Sequence, residues 1–324
     1  MIPALLIFPF IATPLLLLLK SKKTNTVLYT AYALFFLFAS FYLLKHPANW
    51  TDYFAVDALN SLFLIILGIT NIAVVIYNLG YLAHTQLPAD RHTYKTIFFL
   101  WFLFSLCGAM LSTNLGLFWV FLEATTLATA YLINFEETRN SLEAAWKYMF
   151  ICSVGISLAF IGIIFMVISA GSLNSLFLPD LYQNAASFSP FWLKLSLAFI
   201  VVGFATKMGL APVHAWLPDA HSEAPAPVSA MLSGTLLNLP LLGILRIFKI
   251  YEIAGLGHYI TTLLLVMGFL SVFIGAVYIP RVKNYKRLLA YSSIENMGLI
   301  IIAAAIGGAA LWAAMLQLVV HSLI

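Results

Sequence analysis

Apolar stretches of about 20 residues alternate with short polar clusters along the chain. A stretch of that length spans a bilayer as an α-helix, because each residue advances the helix by about 1.5 Å. Neither the alternating ten-residue strands of a membrane barrel nor the basic start of a cleaved signal peptide is visible. The pattern therefore predicts an all-α integral membrane protein, a multi-span bundle of about eleven transmembrane helices. The predicted spans lie near residues 2–19, 27–44, 58–82, 96–112, 115–134, 146–170, 192–217, 226–248, 259–279, 288–306 and 308–324.

The composition supports the membrane class and sets soluble classes aside. Of 324 residues, 63% are apolar and only 9% are charged, whereas soluble domains carry roughly 25% charged residues. Cys107 and Cys152 stand alone inside apolar spans, which favours a role as small buried residues. The sequence contains no CxxC, HExxH, GxGxxG or Walker motif. We therefore expect no cofactor, metal or nucleotide to be held by this chain.

The basic residues predict the orientation of the bundle, because loops rich in Lys and Arg stay in the cytoplasm. Four basic residues belong to one set of alternate loops: Lys45, Lys194, Arg246 and Lys249. Ten belong to the opposite set: Lys20, Lys22, Lys23, Arg91, Lys95, Arg139, Arg281, Lys283, Lys286 and Arg287. This bias predicts a multi-pass protein of the inner (plasma) membrane with its N-terminus outside. The net charge of +4 thus reflects topology and does not indicate nucleic-acid binding.

Glu123 is the first candidate functional residue. In LGLFWVFLEATTLATAYLI it follows eight apolar or glycine residues and precedes ten mainly apolar ones, so it lies at mid-span. An ionisable side chain there costs roughly 2.5–3.5 kcal/mol on insertion scales, and a glutamate is too short to reach the interface. A neutral Glu123 that only hydrogen-bonds a neighbouring helix is the structural alternative. The functional interpretation is favoured, because intramembrane ionisable residues usually mark ion pathways.

Lys207, in FATKMGLAPVHAWLPDA, lies about fifteen residues into the predicted seventh span. Pro212 has no N–H, which leaves the Met208 carbonyl without its helical partner, and Gly209 lets the backbone open further. Transporters build ion sites from discontinuous helices of this kind. A desolvated lysine can release its proton, and an approaching carboxylate stabilises the protonated form. The sequence therefore predicts a broken helix around Gly209–Pro212 and a Glu–Lys pair that moves protons.

Further polar residues inside the spans are weaker candidates. Lys147 either forms an interfacial ion pair with Glu143, four residues earlier, or modulates the charge between Glu123 and Lys207. Asn238 lies two residues before Pro240, which is expected to free the carbonyl of Leu236 and kink the eighth span. Such a kink is also common in helices without any transport role.

Two more candidates complete the expected path. Glu295 lies about a third of the way into the tenth span, and His321 lies deep in the last span. A lone histidine in a membrane is often only a hydrogen-bonding residue, but together with two acidic residues and a lysine it suggests a proton path. A further group of polar residues follows the broken helix: His214, Asp219, His221 and Glu223. We favour a solvated turn over a proton entry as the interpretation of this group.

Several of these segments resemble the antiporter-like subunits of respiratory complex I and of membrane-bound group 4 nickel–iron hydrogenases. The matching segments occur in the family's order, and the resemblance runs from FAVDALNSLFLIILGITNIAVVIYNLGYL to the end of the chain. They are NLGLFWVFLEATTLATAYLI, EAAWKYMF, FATKMGLAPVHAWLPDAHSEAPAPVSAML and NYKRLLAYSSIENMG. SGTLLN and YSSIENMG are most similar to the hydrogenase-4 component F type.

The resemblance implies roles for individual residues. Glu123 resembles the family's glutamate of helix five, and Lys207 resembles the lysine of the broken helix seven. His321 resembles the histidine of helix eleven. Asn238 stands where complex I relatives usually carry a lysine, which removes one protonatable group from the lateral path. Water at the Pro240 kink could bridge that position.

The resemblance also implies an inverted-repeat architecture of which this chain carries only part. Family members have about fourteen helices, built as two inverted five-helix repeats, whereas this sequence stops at Ile324, inside helix eleven. We therefore expect a member truncated at its C-terminus. Its predicted units are an N-terminal three-helix segment over 1–95, a complete first repeat over 96–250 and an incomplete second repeat over 251–324.

The expected function is proton translocation in a redox-driven complex of the NADH:quinone oxidoreductase or membrane-bound hydrogenase type. The chain would not be catalytic alone. Its partners would be other membrane subunits and, through them, a hydrophilic redox module, with the lipid bilayer around them and no nucleic acid. The alternative is a subunit of a multi-subunit Na⁺/H⁺ antiporter, which shares the broken helix and the glutamate. A third interpretation is a non-conducting piece.

Overall fold

The computed structural model describes residues 1–84 and 88–324. In these ranges ten helices are long and apolar enough to cross a membrane, and an eleventh, shorter apolar helix spans Ala309–Leu323. The chain is therefore a multi-pass helical membrane protein, as the hydrophobic pattern predicts. The first seven helices are α1 Ile2–Leu19, α2 Lys22–Lys45, α3 Ala58–His84, α4 Ala89–Leu111, α5 Leu115–Ile133, α6 Arg139–Ser169 and α7 Leu178–Asn184. The others are α8 Pro190–Met208, α9 Leu217–Glu223, α10 Ala226–Met231, α11 Asn238–Ile253, α12 Gly257–Tyr278, α13 Tyr285–Ile306 and α14 Ala309–Leu323.

The only strands in the described ranges form a short antiparallel hairpin between α2 and α3. It consists of β1 Asn49–Thr51 and β2 Phe54–Ala55. Short 3₁₀ turns lie at Asn134–Glu136, Ala185–Ser187 and Ile279–Arg281. These segments connect helices and leave the interior to helix-on-helix packing.

Helices α6 and α8 pack closely, because small residues line their contact. A Cβ built on Gly203 of α8 would lie 2.5 Å from the carbonyl oxygen of Gly155 on α6. Only glycine permits that approach, and small residues at such contacts let membrane helices associate through van der Waals packing. Since α5 also packs on α6, helices α5, α6 and α8 form one packed group.

The predicted break in the seventh span is present, but it differs from a proline kink. Helix α8 ends at Met208, and Gly209 follows with φ +76°, a left-handed conformation that ends helices. The helix has therefore already stopped before Pro212, and α9 does not begin until Leu217. The break predicted around Gly209–Pro212 is thus part of a longer interruption over residues 209–216, in which Gly209 rather than Pro212 ends the helix.

The eighth span is irregular where the sequence predicts a proline kink, and the irregularity is a π-helical segment. Leu232–Leu236 form a π-helical segment between α10 and α11, and the Leu237 N–H donates to the Leu232 carbonyl at 3.3 Å. Pro240 lies in the first turn of α11, where a missing N–H costs little. The irregularity is thus a π-bulge, a feature often found at functional sites.

Arg246 does not lie in a loop, contrary to the assignment of the basic residues made from the sequence. It lies inside α11 and is only 5% exposed. Its guanidinium donates to the carbonyl oxygens of Ser112 at 2.5 Å and Met110 at 3.1 Å, and it lies 3.4 Å from the carboxylate of Asp57. A cation at these carbonyls stabilises the C-terminal end of α4. Arg246 is therefore a structural residue rather than a loop residue.

Candidate functional site

Lys207 is a fully buried amine in the last turn of α8, with 0% of its surface exposed. Its Nζ donates to Thr126 Oγ1 of α5 at 2.6 Å and to the Tyr148 hydroxyl of α6 at 2.8 Å. The Nζ also lies 4.9 Å from the centre of the Tyr148 ring, within cation–π range. Three helices therefore supply the surroundings of this lysine, and its direct partners are neutral.

Glu123 lies on α5, half-buried, one helical turn before Thr126. Its Oε1 accepts a hydrogen bond from Ser153 Oγ of α6 at 2.6 Å. Its Oε2 accepts a longer bond from Thr126 Oγ1 at 3.4 Å. Residues three apart lie on the same helix face, which explains why Glu123 and Thr126 meet. The carboxylate is thus held by hydroxyl groups on two helices.

Glu123 and Lys207 do not form a direct ion pair among the described residues. The Thr126 hydroxyl stands between them, since it accepts from Lys207 and donates to Glu123. A hydroxyl has one donor hydrogen and two acceptor lone pairs, so it can hold both bonds at once. The structure brings the predicted pair into one cluster and adds a bridging group that the sequence interpretation did not identify.

Tyr148 extends this hydroxyl cluster away from Glu123. Its hydroxyl lies 2.5 Å from Thr129 Oγ1, and its ring lies 5.0 Å from the ring of Trp216, at the end of the break. The Trp216 indole in turn donates to the Thr206 carbonyl at 2.8 Å. The break therefore carries an aromatic side chain that packs on Tyr148 and bonds to a carbonyl in the last turn of α8, which also accepts from the Gly209 N–H. Sequence reasoning expected exposed carbonyls beside the lysine, whereas hydroxyl groups contact it directly.

Lys147 belongs to a charged network on the outside of α6. Its Nζ lies 2.7 Å from Glu143 Oε1 and 3.0 Å from Asp219 Oδ2 of α9, and its side chain is 45% exposed. Arg287 at the start of α13 forms an ion pair with the other oxygen of Asp219. No described hydrogen bond or ion pair joins Lys147 to Glu123 or Lys207. Of the two alternatives for Lys147, the structure shows the ion pair, which also involves Asp219.

The polar group after the break is not a solvated turn. His221 lies in helix α9 and is only 4% exposed, and Asp219 is one-fifth exposed in its ion pairs. Buried Nε2 of His221 and buried Nδ1 of His214 have no hydrogen-bond partner in the described part of the chain. The expectation of a solvated turn is wrong for these residues because α9 packs against α6 and α13.

Asn238, at the end of the π-bulge, is buried at 1% exposure. Its Nδ2 donates to the Gly234 carbonyl and to Ser322 Oγ of α14, both at 2.8 Å. The neighbouring His321 does not make this contact, and its buried Nε2 has no partner among the described atoms. The structure thus joins the predicted eighth and eleventh spans through Asn238 and Ser322.

Glu295 lies on α13, half-buried, against the neighbouring helix α12. A Cβ built on Gly275 would lie 2.7 Å from the Glu295 Cβ, which shows how closely the two backbones approach. Glu295 has no hydrogen-bond or ion-pair partner in the residues that the structure describes. The structure does not bring it into the cluster around Lys207.

Five hydroxyl residues of the site were missed by sequence reasoning: Thr126, Thr129, Tyr148, Ser153 and Ser322. A partial signal existed for Thr126, because it follows Glu123 by three residues in the same apolar span. Tyr148 and Ser153 reach the charged groups only through tertiary packing, and Thr129 and Ser322 contact the neutral side chains of Tyr148 and Asn238. As a chemical arrangement, the site contains a carboxylate, a chain of hydroxyls and an amine, each of which can hold or pass a proton.

Comparison with known proteins places this geometry in context. A family model described as NADH:quinone oxidoreductase/Mrp antiporter, TM, matches residues 112–324, which include the whole cluster. The hydrogenase-4 component F homologue of Methylacidiphilum infernorum is 37% identical over 333 residues, with 99% of this chain and 69% of that protein covered. The NADH-quinone oxidoreductase subunit N of Desulforudis audaxviator is 29% identical over 292 residues, with 88% of this chain and 56% of that protein covered.

The fold has a close counterpart among solved structures. One chain of a membrane-bound sulfane sulfur reductase, an archaeal respiratory membrane complex, superimposes with a TM-score of 0.87 at 25% identity. The match covers 99% of this chain and 68% of that one. These proteins are longer than the sequence described here, so the comparison concerns the helices that they share.

Proposed function

Since this chain belongs to the NADH:quinone oxidoreductase/Mrp antiporter transmembrane family, we propose that it is the proton-translocating subunit of a redox-driven membrane complex. The hydrogenase-4 component F homologue supports a hydrogenase-like parent complex, and the quinone oxidoreductase relative supports a complex I-like one. In either case the chain's task is to move protons, while electron transfer takes place in other subunits.

The single observation that carries this proposal is the chain of contacts from Lys207 through Thr126 to Glu123. A buried amine with only neutral hydroxyl partners is costly in a membrane protein unless it serves a function. Its protonated form is stabilised when the Glu123 carboxylate approaches and destabilised when it withdraws. Changes in the distance between Glu123 and Lys207 would therefore make Lys207 take up and release a proton.

Glu123, Lys207 and His321 form the proposed proton relay. Lys147, Glu295 and Asn238 lie outside the cluster around Lys207, and we assign them modulating roles. We assign the flexible segments to the break at Gly209–Pro212 and to the Pro240 region. Support for the later part of the relay comes from the buried Nε2 atoms of His221 and His321. Neither has a hydrogen-bond partner in the described part of the chain, which leaves acceptor or donor capacity for water. Water at the Asn238–Ser322 contact would bridge the position of the missing lysine.

Membrane subunits of the same complex are the proposed partners, with a hydrophilic redox module bound through them. Glu123 is only half-buried, and exposed apolar side chains surround it on α5 and α6. They include Leu127 at 60% and Val154 at 61% exposure. A carboxylate is better accommodated against protein than against lipid, which supports a neighbouring subunit at this face. We assign the redox cofactors to those partner subunits.

The proposed orientation places the N-terminus outside the plasma membrane and residues 281–287 in the cytoplasm, because basic residues favour the cytoplasmic side. The side chains of Lys45 and Lys283 are both exposed, the first at the end of α2 and the second in the connection before α13. In intact cells, a membrane-impermeant maleimide should label Lys45→Cys, whereas Lys283→Cys should react only after permeabilisation. The reverse pattern would contradict this orientation.

We also assign residues 1–95, 96–250 and 251–324 to an N-terminal segment, a complete first repeat and part of a second repeat. The middle unit contains Glu123, Lys207 and Asn238, so the proposed proton-loading groups belong to a single repeat. The packing of α5, α6 and α8 around Lys207 supports treating them as one unit.

The Glu123→Gln variant tests the proposed function in the intact complex reconstituted into vesicles. Glutamine retains the shape and can still accept from Ser153, but it cannot carry the negative charge. Electron transfer to an artificial acceptor should remain near the wild-type rate, and proton uptake per electron should fall by at least about tenfold. Glu143→Gln is the matched control, because Glu143 is an exposed glutamate in an ion pair with Lys147. The control should pump normally.

Unchanged proton translocation in Glu123→Gln would overturn the role of this carboxylate. Equal loss of pumping in Glu123→Gln and Glu143→Gln would also contradict it, because the effect would then not depend on the buried cluster. Electron transfer is measured in a separate sample with an uncoupler, which removes the back-pressure of a proton gradient. Proton uptake is measured without the uncoupler.

A cation/proton exchanger is the second candidate function, favoured by the part of the family description that names the Mrp antiporter. The same buried amine and carboxylate would then couple proton movement to Na⁺ movement. Pumping that requires Na⁺ and no electron donor would decide for the exchanger. Proton movement that stops when the electron donor is removed would decide for the redox complex.

A further inference from the structure

We infer that Thr126 is the proton-transfer bridge between Lys207 and Glu123, so that the proton crosses a hydroxyl rather than a direct ion pair. This inference rests on the proposed function, since it concerns how the same two groups exchange a proton. The role is a property of the side-chain hydroxyl, and it makes Thr126 as necessary for transfer as the two charged residues.

The geometry sets Thr126 apart from the other hydroxyls near it. Its Oγ1 accepts from Lys207 Nζ at 2.6 Å, a short bond of the charge-assisted kind. The Thr126 Oγ1 donates to Glu123 Oε2 at 3.4 Å, a long bond that a small shift of the carboxylate would shorten. The side chain is 0% exposed, so bulk water does not compete for either contact.

The neighbouring Thr125 has the hydrogen bond that is usual for a threonine inside a helix. Its Oγ1 donates to the Leu122 carbonyl of its own helix at 2.7 Å, the usual arrangement for a helical threonine. Both residues are fully buried in consecutive positions of α5. Thr126 instead has its hydroxyl in the charged cluster, between the only lysine and the only carboxylate that the structure describes there.

The transfer step balances without any additional reactant. A proton leaves Lys207 Nζ and bonds to Thr126 Oγ1 while the original Thr126 hydrogen moves to Glu123 Oε2. The lysine becomes a neutral amine, the glutamate becomes a neutral acid, and the threonine regains its single hydrogen. Reversal restores both charges. The amount of separated charge inside the membrane therefore falls during the forward step, which favours transfer in a medium of low dielectric constant.

Thr126→Val and Thr126→Ser test this role, because they separate the shape of the side chain from its hydroxyl. Valine keeps the branched shape and removes the hydroxyl, whereas serine keeps the hydroxyl and removes a methyl group. Thr126→Ala is a second hydroxyl-free variant with no added apolar bulk beside the amine. Thr125→Val is the matched control, since it removes a hydroxyl that bonds only to its own helix. The readout is proton translocation per electron in the reconstituted intact complex.

The bridge predicts that Thr126→Val and Thr126→Ala lose at least about tenfold in proton translocation, while Thr126→Ser and Thr125→Val stay within about twofold of wild type. A packing role predicts the opposite order, with valine active and serine impaired. That order would overturn the inference, as would normal pumping in either hydroxyl-free variant. If Glu123→Gln and Lys207→Met also pump normally, the proposed function fails as well. If they do not, only the bridge is wrong.

Discussion

At the scale of single residues, the site is notable for pairing a buried lysine with hydroxyls instead of a carboxylate. The Lys207 amine has two hydroxyl partners, and the nearest carboxylate of the cluster is reached through one of them. A permanent buried ion pair would hold the proton in place, because breaking such a pair costs several kcal/mol. Neutral partners leave the proton free to respond when Glu123 moves.

Tyr148→Phe tests the second hydroxyl partner of the lysine. Phenylalanine keeps the ring under the amine and removes the hydroxyl, which accepts from Lys207 at 2.8 Å. A lost hydrogen bond to a buried polar group costs about 1–3 kcal/mol. We expect the complex to assemble, its apparent melting temperature to fall by a few degrees, and its proton translocation to fall about two- to tenfold. Melting and pumping assays on the same preparation give both values.

Tyr251→Phe is the control for Tyr148→Phe. Tyr251 is also fully buried, and its hydroxyl donates to Ser196 at 3.1 Å, with no part in the cluster around Lys207. The control should lose a similar amount of stability and retain pumping. If both variants pumped equally well, the Tyr148 hydroxyl would have only a structural role.

Sequence reasoning could locate the charged residues of the site but not their hydroxyl partners. Glu123 and Lys207 are recognisable because an ionisable group in a long apolar stretch is costly. Threonine and serine carry no such penalty, since in helices their hydroxyls commonly bond to the backbone one turn earlier, as Thr125 does. Tyrosine carries none either, because most of its side chain is apolar. Which of them face Lys207 is decided by the packing of three helices.

At the scale of elements, the broken helix depends on Gly209. Its φ of +76° lies in the left-handed region, and a Cβ there would come 2.2 Å from the Leu217 side chain. A non-glycine residue pays roughly 1–2 kcal/mol for this conformation before any clash is counted. The turn that ends α8 directly after Lys207 therefore requires glycine.

Gly209→Ala should destabilise the complex more than Gly171→Ala. Gly171 has a similar φ of +64°, but a Cβ there would meet no atom within 4 Å. Gly171→Ala should therefore lose only the stability that a left-handed backbone costs a non-glycine residue, about 1–2 kcal/mol. Gly209→Ala should lose this amount and, in addition, the stability lost through the clash. Apparent melting temperature and the amount of assembled complex measure the difference. Equal behaviour of the two variants would contradict the packing account of the break.

The position of the break could be predicted from the sequence, whereas its form could not. Gly209 and Pro212 indicate an interruption, but the length of residues 209–216 follows from α9 packing against α6 and α13. The π-bulge at Leu232–Leu236 has no local signal either. It lies where a Cβ on Gly234 would come 2.9 Å from the Ser322 carbonyl, so a contact across the bundle accompanies it.

At the scale of the whole molecule, the apolar pattern was sufficient for the fold class, because span length and hydropathy do not depend on which helices are neighbours. Span length and hydropathy do not indicate which helices are neighbours. For that question the resemblance to a known family supplied information that the hydrophobic periodicity did not. The charged network of Lys147, Asp219 and Arg287 illustrates this limit. It joins α6, α9 and α13, which are far apart in the sequence.

The central claim is that Lys207 works by releasing and regaining a proton, not as a fixed charge. The most direct test is the number of protons translocated per electron by the intact complex carrying Lys207→Arg. Arginine keeps a positive charge but does not release its proton at working pH. With Lys207→Met as the uncharged reference, both variants should transfer electrons and both should lose at least about tenfold in pumping. Full pumping by Lys207→Arg would show that charge alone suffices at this position, and the proton-exchange account would be wrong.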